Sequence, residues 1–334
     1  MNGLHHSVFP IGLIGCSDFP CCSTSNYADG ADMPVSPPVY EHPPLPRRIS
    51  MRTIGWIRTN LVPVSVMKRR MNSSSSPLIQ EFMQNPGGWR AMEIIYENAR
   101  PKSLWDWYVL RGLPLSIEAR NRRRYFVHTL SRWMQEKAAA RPLRMLILGS
   151  GPALDVLEAM QSQNGPFDVD AVDLDEGAVI RGREEASRLE LSDQITFHHG
   201  DVRSALGELA GKSYEIISLI GLAEYLSDEE LTDVLQELSE HAASGCRIIT
   251  HAYEDTFHSE STLSRMFGIR IHSRTAVHIS RMLNDTGFSV QEIEATPLGI
   301  YPMILASPMI EPASIPVPES LPVERATTNR VSPR

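Results

Sequence analysis

One stretch constrains this chain more than any other: Leu143 to Asp175. Leu143 to Leu148 is almost continuously apolar, as suits a strand buried on both faces of a parallel sheet. Gly149-Ser150-Gly151 breaks the run, and Pro152 stands where a helix would begin, its fixed φ suited to a first turn. Ala153, Leu154, Val156, Leu157 and Met160 then recur at helical spacing, and a second strand over Phe167 to Val172 ends on Asp173 and Asp175. Strand, glycine turn, helix, strand and terminal acid make up half of a nucleotide-binding βαβ unit.

Each part has a chemical use. Gly149 and Gly151 let the backbone approach a ligand closely, Ser150 lies between them, and N–H groups at the helix start point toward it. A carboxylate about twenty residues on can accept both ribose hydroxyls of an adenosine. The same turn could also be no more than a turn, so the downstream chain matters. Ile195 to His198 reads as a third strand ending in Gly200-Asp201-Val202, and Tyr214 to Ile220 as a fourth, followed by Gly221-Leu222-Ala223-Glu224-Tyr225-Leu226.

With these motifs in this order, Leu143 to Pro308 resembles the class I S-adenosylmethionine-dependent methyltransferases. The resemblance implies an α/β fold: a Rossmann-like, mostly parallel sheet with a closing antiparallel hairpin, preceded by a helical lid. It implies that Gly149, Ser150 and Gly151 hold the methionine end of S-adenosylmethionine; Asp155 in the first helical turn could supply charge near its ammonium or could only favour the helix N-terminus. Asp173 and Leu174 would meet the ribose and adenine, Asp201 and Val202 the adenine amine, and Ile220 at the end of the fourth strand would also line the cofactor site, with the segment after it facing the acceptor. Two positions depart from the family pattern: Ile147 replaces the usual acid before the first glycine, and Ala153 the third glycine. Within the family, GLAEYLSDEEL and IHSRTAVHISRMLNDTGF resemble a bacterial group that methylates the carboxylate of a hydroxy fatty acid.

The flanking chain reads differently. Residues 1–76 are rich in Pro, Ser and Gly without hydrophobic period, and read as a disordered leader. Arg47, Arg48, Lys68, Arg69 and Arg70 within it could bind an acidic surface or could simply be solvated. Residues 77–141 turn helical, with segments around Leu78, around Trp89 to Tyr96, from a Ser103 cap, and from a Ser116 cap through Ala140. Arg120, Arg122, Arg123 and Arg124 on the last, spread around the helix, put several cations in solvent; one of them, Arg111 or Tyr108 could clamp a carboxylate. Residues 142–308 form the cofactor domain, with a helix from Ser227, a fifth strand from Cys246, an irregular insert, a helix near Thr275 and two closing strands. Residues 309–334 are Pro-rich and read as a disordered tail.

A net charge of −8 over 334 residues gives no global pointer to nucleic acid. No long apolar run suggests a membrane span, and the unpatterned cysteines fit a reducing, cytoplasmic setting without metal. Glu224, just past the fourth strand, is the first candidate for a general base, with His251 and His258 as further candidates. The resulting expectation is methyl transfer to a small-molecule oxygen, hydroxyl or carboxylate. A non-catalytic cofactor-binding module and a nicotinamide-dependent oxidoreductase are the alternatives, though Leu154 stands where the latter expects glycine.

Overall fold

The computed structural model describes residues 37–137, 141–163 and 165–309. All the elements below lie in one unit, residues 35–334. In chain order its helices are α1 (Leu45–Asn60), α2 (Val64–Asn72), α3 (Pro77–Gln84), α4 (Trp89–Glu97), α5 (Leu104–Trp107), which runs into a π-helical turn over Tyr108–Gly112, and α6 (Pro114–Lys137). Strand β1 (Leu143–Leu148) follows, then α7 (Leu154–Gln161), β2 (Phe167–Asp173), α8 (Glu176–Arg188), β3 (Ile195–His199), α9 (Val202–Glu208) and β4 (Tyr214–Ser218). The chain continues through α10 (Asp228–His241), β5 (Ala242–His251), α11 (Ser259–Phe267), α12 (Ala276–Asp285), β6 (Phe288–Glu294) and β7 (Met303–Pro308).

The strands form one seven-stranded sheet ordered β3-β2-β1-β4-β5-β7-β6. Strands β1 to β5 are parallel, and the antiparallel pair β6–β7 closes the edge beyond β5. This is the Rossmann-like α/β sheet expected from the motifs. The apolar run of β1 feeds both faces in alternation. Met145 and Ile147 join Phe126, Leu130 and Trp133 of α6 and Val156 and Leu157 of α7. Leu146 and Leu148 join Leu206, Leu231, Leu235 and Leu283 on the other face. Each such fully buried side chain contributes about 1.5–3 kcal/mol. The strand order reverses between β1 and β4, so their carboxyl ends open the crevice where such sheets bind ligands.

Helix starts follow local chemistry. Ser227 and Glu230 form a reciprocal capping box at α10, with the Ser227 hydroxyl accepting from Glu230 N at 3.2 Å and the Glu230 carboxylate from Ser227 N at 2.8 Å. Asp175 caps α8, Asp201 caps α9 and Thr275 caps α12 with a single side-chain acceptor each, to Ala178 N, Arg203 N and His278 N.

Several expectations are corrected. Residues 1–76 do not all lack structure: α1 and α2 are helices that bury Met51 and Met71 against a third core with Ile79, Ile95, Phe257 and Ile300. Their apolar residues are few and interrupted by cations, which hid the period. Residues 1–36 and the tail beyond Met309 lie outside the described residues. Helix α7 starts at Leu154 rather than Pro152, because Gly151 and Ala153 both take positive φ and keep the chain out of the helix for one more turn. Ser116 is no cap; α6 begins at Pro114, and the Ser116 hydroxyl donates to the Val109 carbonyl at 2.7 Å. The insert after β5 carries a helix, α11, rather than irregular chain.

Candidate active site

Three carboxyl-end loops meet over the crevice. In the first, Gly149 takes φ +63 and Gly151 φ +53. A Cβ on Gly149 would stand 3.0 Å from Leu222 Cβ, so only glycine lets the loops after β1 and β4 approach this closely. Ser150 N donates to Val172 O at 3.0 Å, tying the loop to the end of β2. There Asp173 takes over. One carboxylate oxygen accepts from Gly151 N at 2.6 Å and the other from Asp175 N at 2.9 Å. Burial raises the Asp173 pKa above its ordinary value despite those two donors. Leu174 beside it leaves 71% of its surface exposed, an apolar shelf at the rim. Asp201 is exposed and spends one oxygen on Arg203 N at 3.0 Å, while Val202 is buried beneath it.

Asp155 follows on α7, one oxygen accepting from Val156 N at 2.9 Å. Burial raises its pKa, against the opposing charge of Arg123. Ile147, in the position of the family's usual acid, is buried in the sheet core and leaves Asp155 as the carboxylate nearest the glycine loop in sequence. Trp89 of α4 reaches over this corner, with its Cβ 3.8 Å from the Cβ position of Gly151 and its indole nitrogen 3.6 Å from that of Gly177.

The acceptor side lies past β4. Glu224 and His251 are brought together, and the group that joins them is Arg122. Its Nη1 donates to Glu224 Oε1 at 3.2 Å and to His251 Nε2 at 3.0 Å. Gly221 N also donates to His251 Nε2 at 3.0 Å, so the ring proton sits on Nδ1 and is donated to the Ala252 carbonyl at 3.0 Å. Burial pushes the His251 pKa down to about 4, so the ring is neutral near pH 7. Burial works against the Glu224 carboxylate too, yet the charges of His251, when that ring is protonated in acid, and of Arg122 outweigh it and hold its pKa below the ordinary range. The guanidinium of Arg122 lies 4.4 Å from the centre of the Tyr301 ring, and its Nη2 is 3.5 Å from the Tyr96 hydroxyl. Among the described residues, buried Arg122 Nε, Arg123 Nε, Glu224 Oε2 and Tyr253 Oη find no hydrogen-bond partner. Such unmet groups are costly in a folded interior and are completed by water or by a bound polar group.

The loop that carries Glu224 is held from behind. Arg274, itself buried, donates to the Ala223 carbonyl at 2.7 Å, the Leu226 carbonyl at 2.6 Å and Asp228 Oδ1 at 2.7 Å. His272 N donates to the Glu224 carbonyl at 2.7 Å. Tyr301 is held through Glu118, wholly buried, whose carboxylate accepts from Leu298 N at 3.0 Å and Ile300 N at 3.3 Å.

Two expectations fail at this site. His258 is not part of the cluster; it precedes α11 with φ +57, and its carbonyl accepts from Thr59 of α1 at 3.3 Å. The arginines of α6 are not evenly solvated, since Arg120 and Arg122 are both buried. A signal for this existed: Glu118 and Arg122 lie on one i, i+4 stripe with Phe126 and Leu130, which are core. Ile220 is partly buried against the sheet core, at the head of the acceptor-side loop. Among the described residues no group of His, Cys, Asp and Glu converges as a metal set.

Residues 145–245, from β1 into β5, match the family described as a methyltransferase domain. By that match the segment is a methyltransferase domain. The glycine loop, Asp173 and the exposed shelf of Leu174 fit S-adenosylmethionine, the cofactor expected from the motifs. The chain is similar in fold to a solved structure described as a possible exported protein from Bordetella parapertussis, at 17% identity over 79% of this chain and 96% of that one, with a TM-score of 0.60. It is also similar to magnesium protoporphyrin IX methyltransferase from Synechocystis PCC 6803, solved with S-adenosylhomocysteine, at 17% identity over 69% and 97% of the two chains, with a TM-score of 0.49. No curated protein matches the sequence. Among the described residues no helix is long and apolar enough to cross a membrane.

Proposed function

We propose that the methyltransferase acts on a small-molecule hydroxyl, with Glu224 receiving the proton. One observation carries this reading: Glu224 Oε2 is a buried, ionised carboxylate oxygen on the loop after β4 with no hydrogen-bond donor among the described residues, its neighbour His251 Nε2 at 3.4 Å being the unprotonated ring nitrogen. A hydroxyl fills that vacancy by donating its proton, recovering the roughly 1–3 kcal/mol that an unmet buried acceptor costs. An acceptor carboxylate would instead set a second negative charge against the first.

S-adenosylmethionine supplies a sulfonium methyl group open to direct displacement. The chain's own contribution is placement and proton handling. Gly149, Ser150 and Gly151 would hold the methionine end, Asp173 the ribose diol, and Leu174, Asp201 and Val202 the adenine. Arg122 keeps Glu224 ionised and fixes its Oε1, leaving Oε2 to orient the hydroxyl and take its proton as the bond forms. His251 is a positioning residue: its Nε2 is occupied by Gly221 N–H and Arg122, so it holds the loop rather than accepting the acceptor's proton.

The resemblance of GLAEYLSDEEL to enzymes that esterify a hydroxy fatty acid would place a carboxylate here, and kinetics separate the two. Glu224→Gln keeps shape and a hydrogen bond but cannot take the proton. Single-turnover transfer to a hydroxyl acceptor should fall by about 10²–10⁴-fold with cofactor affinity unchanged. A fall of less than threefold, or efficient turnover of matched carboxylates only, would overturn the assignment.

A further inference from the structure

Charge is unevenly distributed along this chain. The net charge is −8, yet the sequence between Glu41 and Glu81 carries seven Lys and Arg and no Asp or Glu. The structure gathers these cations onto α1 and α2. The inner side of α1 is fixed by Met51 and by Gly55, where a Cβ would lie 2.6 Å from the Phe257 carbonyl oxygen. The opposite side therefore faces outward. It presents Leu45, Ile49 and Trp56, spaced i, i+4, i+11 and exposed by 67%, 59% and 49%. Arg48 and Arg52 flank that stripe. Helix α2 buries Met71, leaves Lys68, Arg69 and Arg70 exposed, and Leu61 in the connecting turn is exposed as well.

Several cations elsewhere in the molecule are neutralised, although Arg90, Arg100, Lys102, Arg144, Arg270 and Arg281 make no ion pair among the described residues. Arg120, Arg123, Arg181, Arg247 and Arg274 each have a carboxylate partner. Arg47 is drawn inward to the Arg111 carbonyl. Arg48, Arg52, Lys68, Arg69 and Arg70 make no ion pair among the described residues. A merely solvated face explains unpaired cations but not a tryptophan, an isoleucine and a leucine aligned beside them. Nucleic acid would use the cations and leave the apolar stripe without purpose. A helix with both is suited to the boundary between lipid headgroups and acyl chains.

We propose that α1 and α2 dock this protein onto an anionic lipid surface. Leu45, Ile49 and Trp56 enter the headgroup boundary, and Arg48, Arg52, Lys68, Arg69 and Arg70 face lipid phosphates. The attachment is peripheral and leaves the methyl-transfer cleft as described.

The test is co-sedimentation of the full chain with phosphatidylcholine vesicles, with and without phosphatidylglycerol. Binding should require the anionic lipid and weaken with added salt. Arg48→Ser with Arg52→Ser should weaken it about 30-fold, at about 1 kcal/mol for each cation at the surface. Ile49→Ser with Trp56→Ser should weaken it at least as much, and both variants should melt with wild type because these side chains are exposed. Failure of the full chain to prefer anionic vesicles overturns the proposal. So does equally tight binding to duplex DNA that ignores Ile49→Ser and Trp56→Ser, which assigns the face to nucleic acid. A full-chain dimer abolished by those same substitutions overturns it too, in favour of a second copy.

Discussion

Replacing Asp173 by Asn separates what this carboxylate does for the cofactor from what it does for the fold. In the free protein its oxygens accept from Gly151 N at 2.6 Å and Asp175 N at 2.9 Å, each with a lone pair left for the cleft. Asn supplies one carbonyl oxygen, so one backbone bond and one ribose bond disappear, and the charge assisting the others goes with them. Charge-assisted hydrogen bonds contribute about 1.5–3 kcal/mol. A net loss of about 2–4 kcal/mol in binding corresponds to roughly 30- to 700-fold weaker affinity. The fold should suffer far less. Burial holds the pKa above its ordinary 3.8, which means the ionised form is disfavoured in the native state, and Asn removes that cost. Calorimetric titration with S-adenosylhomocysteine and a thermal melt read the two effects separately. Acidification gives a second check. The native state binds this proton more readily than the unfolded chain. As pH falls toward 3.8, the group's contribution to stability rises while cofactor affinity falls. Asp173→Asn should show neither trend. Unchanged affinity in the variant, or a collapsed melting temperature, would refute the reasoning.

Two further substitutions probe the framework. Gly182→Ala would place a Cβ 2.3 Å from the Phe197 ring, where α8 packs on β3, and should destabilise by about 1–3 kcal/mol in denaturant titration. Glu41→Ala should cost about 3 kcal/mol, because it strips a bidentate partner, at 2.7 and 2.8 Å, from the buried Arg120 guanidinium. Arg120 outweighs burial and lowers the Glu41 pKa below 4.5, so the pair stabilises above that pH and is lost as pH falls through the lowered value. The stability gap between wild type and Glu41→Ala should therefore close in acid.

The parts legible in the sequence were those where one local rule decides. The β1 run, bounded by Gly149, could only be a buried strand, and its observed limits are those of the run. Ser227 and Glu230 announced a helix start through spacing alone. Asp173 followed from its place at the end of β2. What stayed hidden depends on partners distant in sequence. Arg122 looked like one of several solvated arginines because its neighbours Glu224 and His251 lie 102 and 129 residues away. Helix α1 buries only Met51 and Gly55, too few residues to set up a readable period. Ala153 takes φ 51, a conformation that favours glycine and that no local rule predicts for alanine.

The central claim is methyl transfer to a hydroxyl in the crevice between Asp173 and Glu224. Its most direct test uses S-adenosylmethionine labelled in the methyl group, with a panel of phenols, alcohols and matched carboxylic acids. The products are then treated with mild base. A methyl ether keeps its label, whereas a methyl ester releases it as volatile methanol. The account predicts base-stable label on a hydroxyl acceptor, abolished by Glu224→Gln. Base-labile label on a carboxylate acceptor, undiminished by Glu224→Gln, would contradict it.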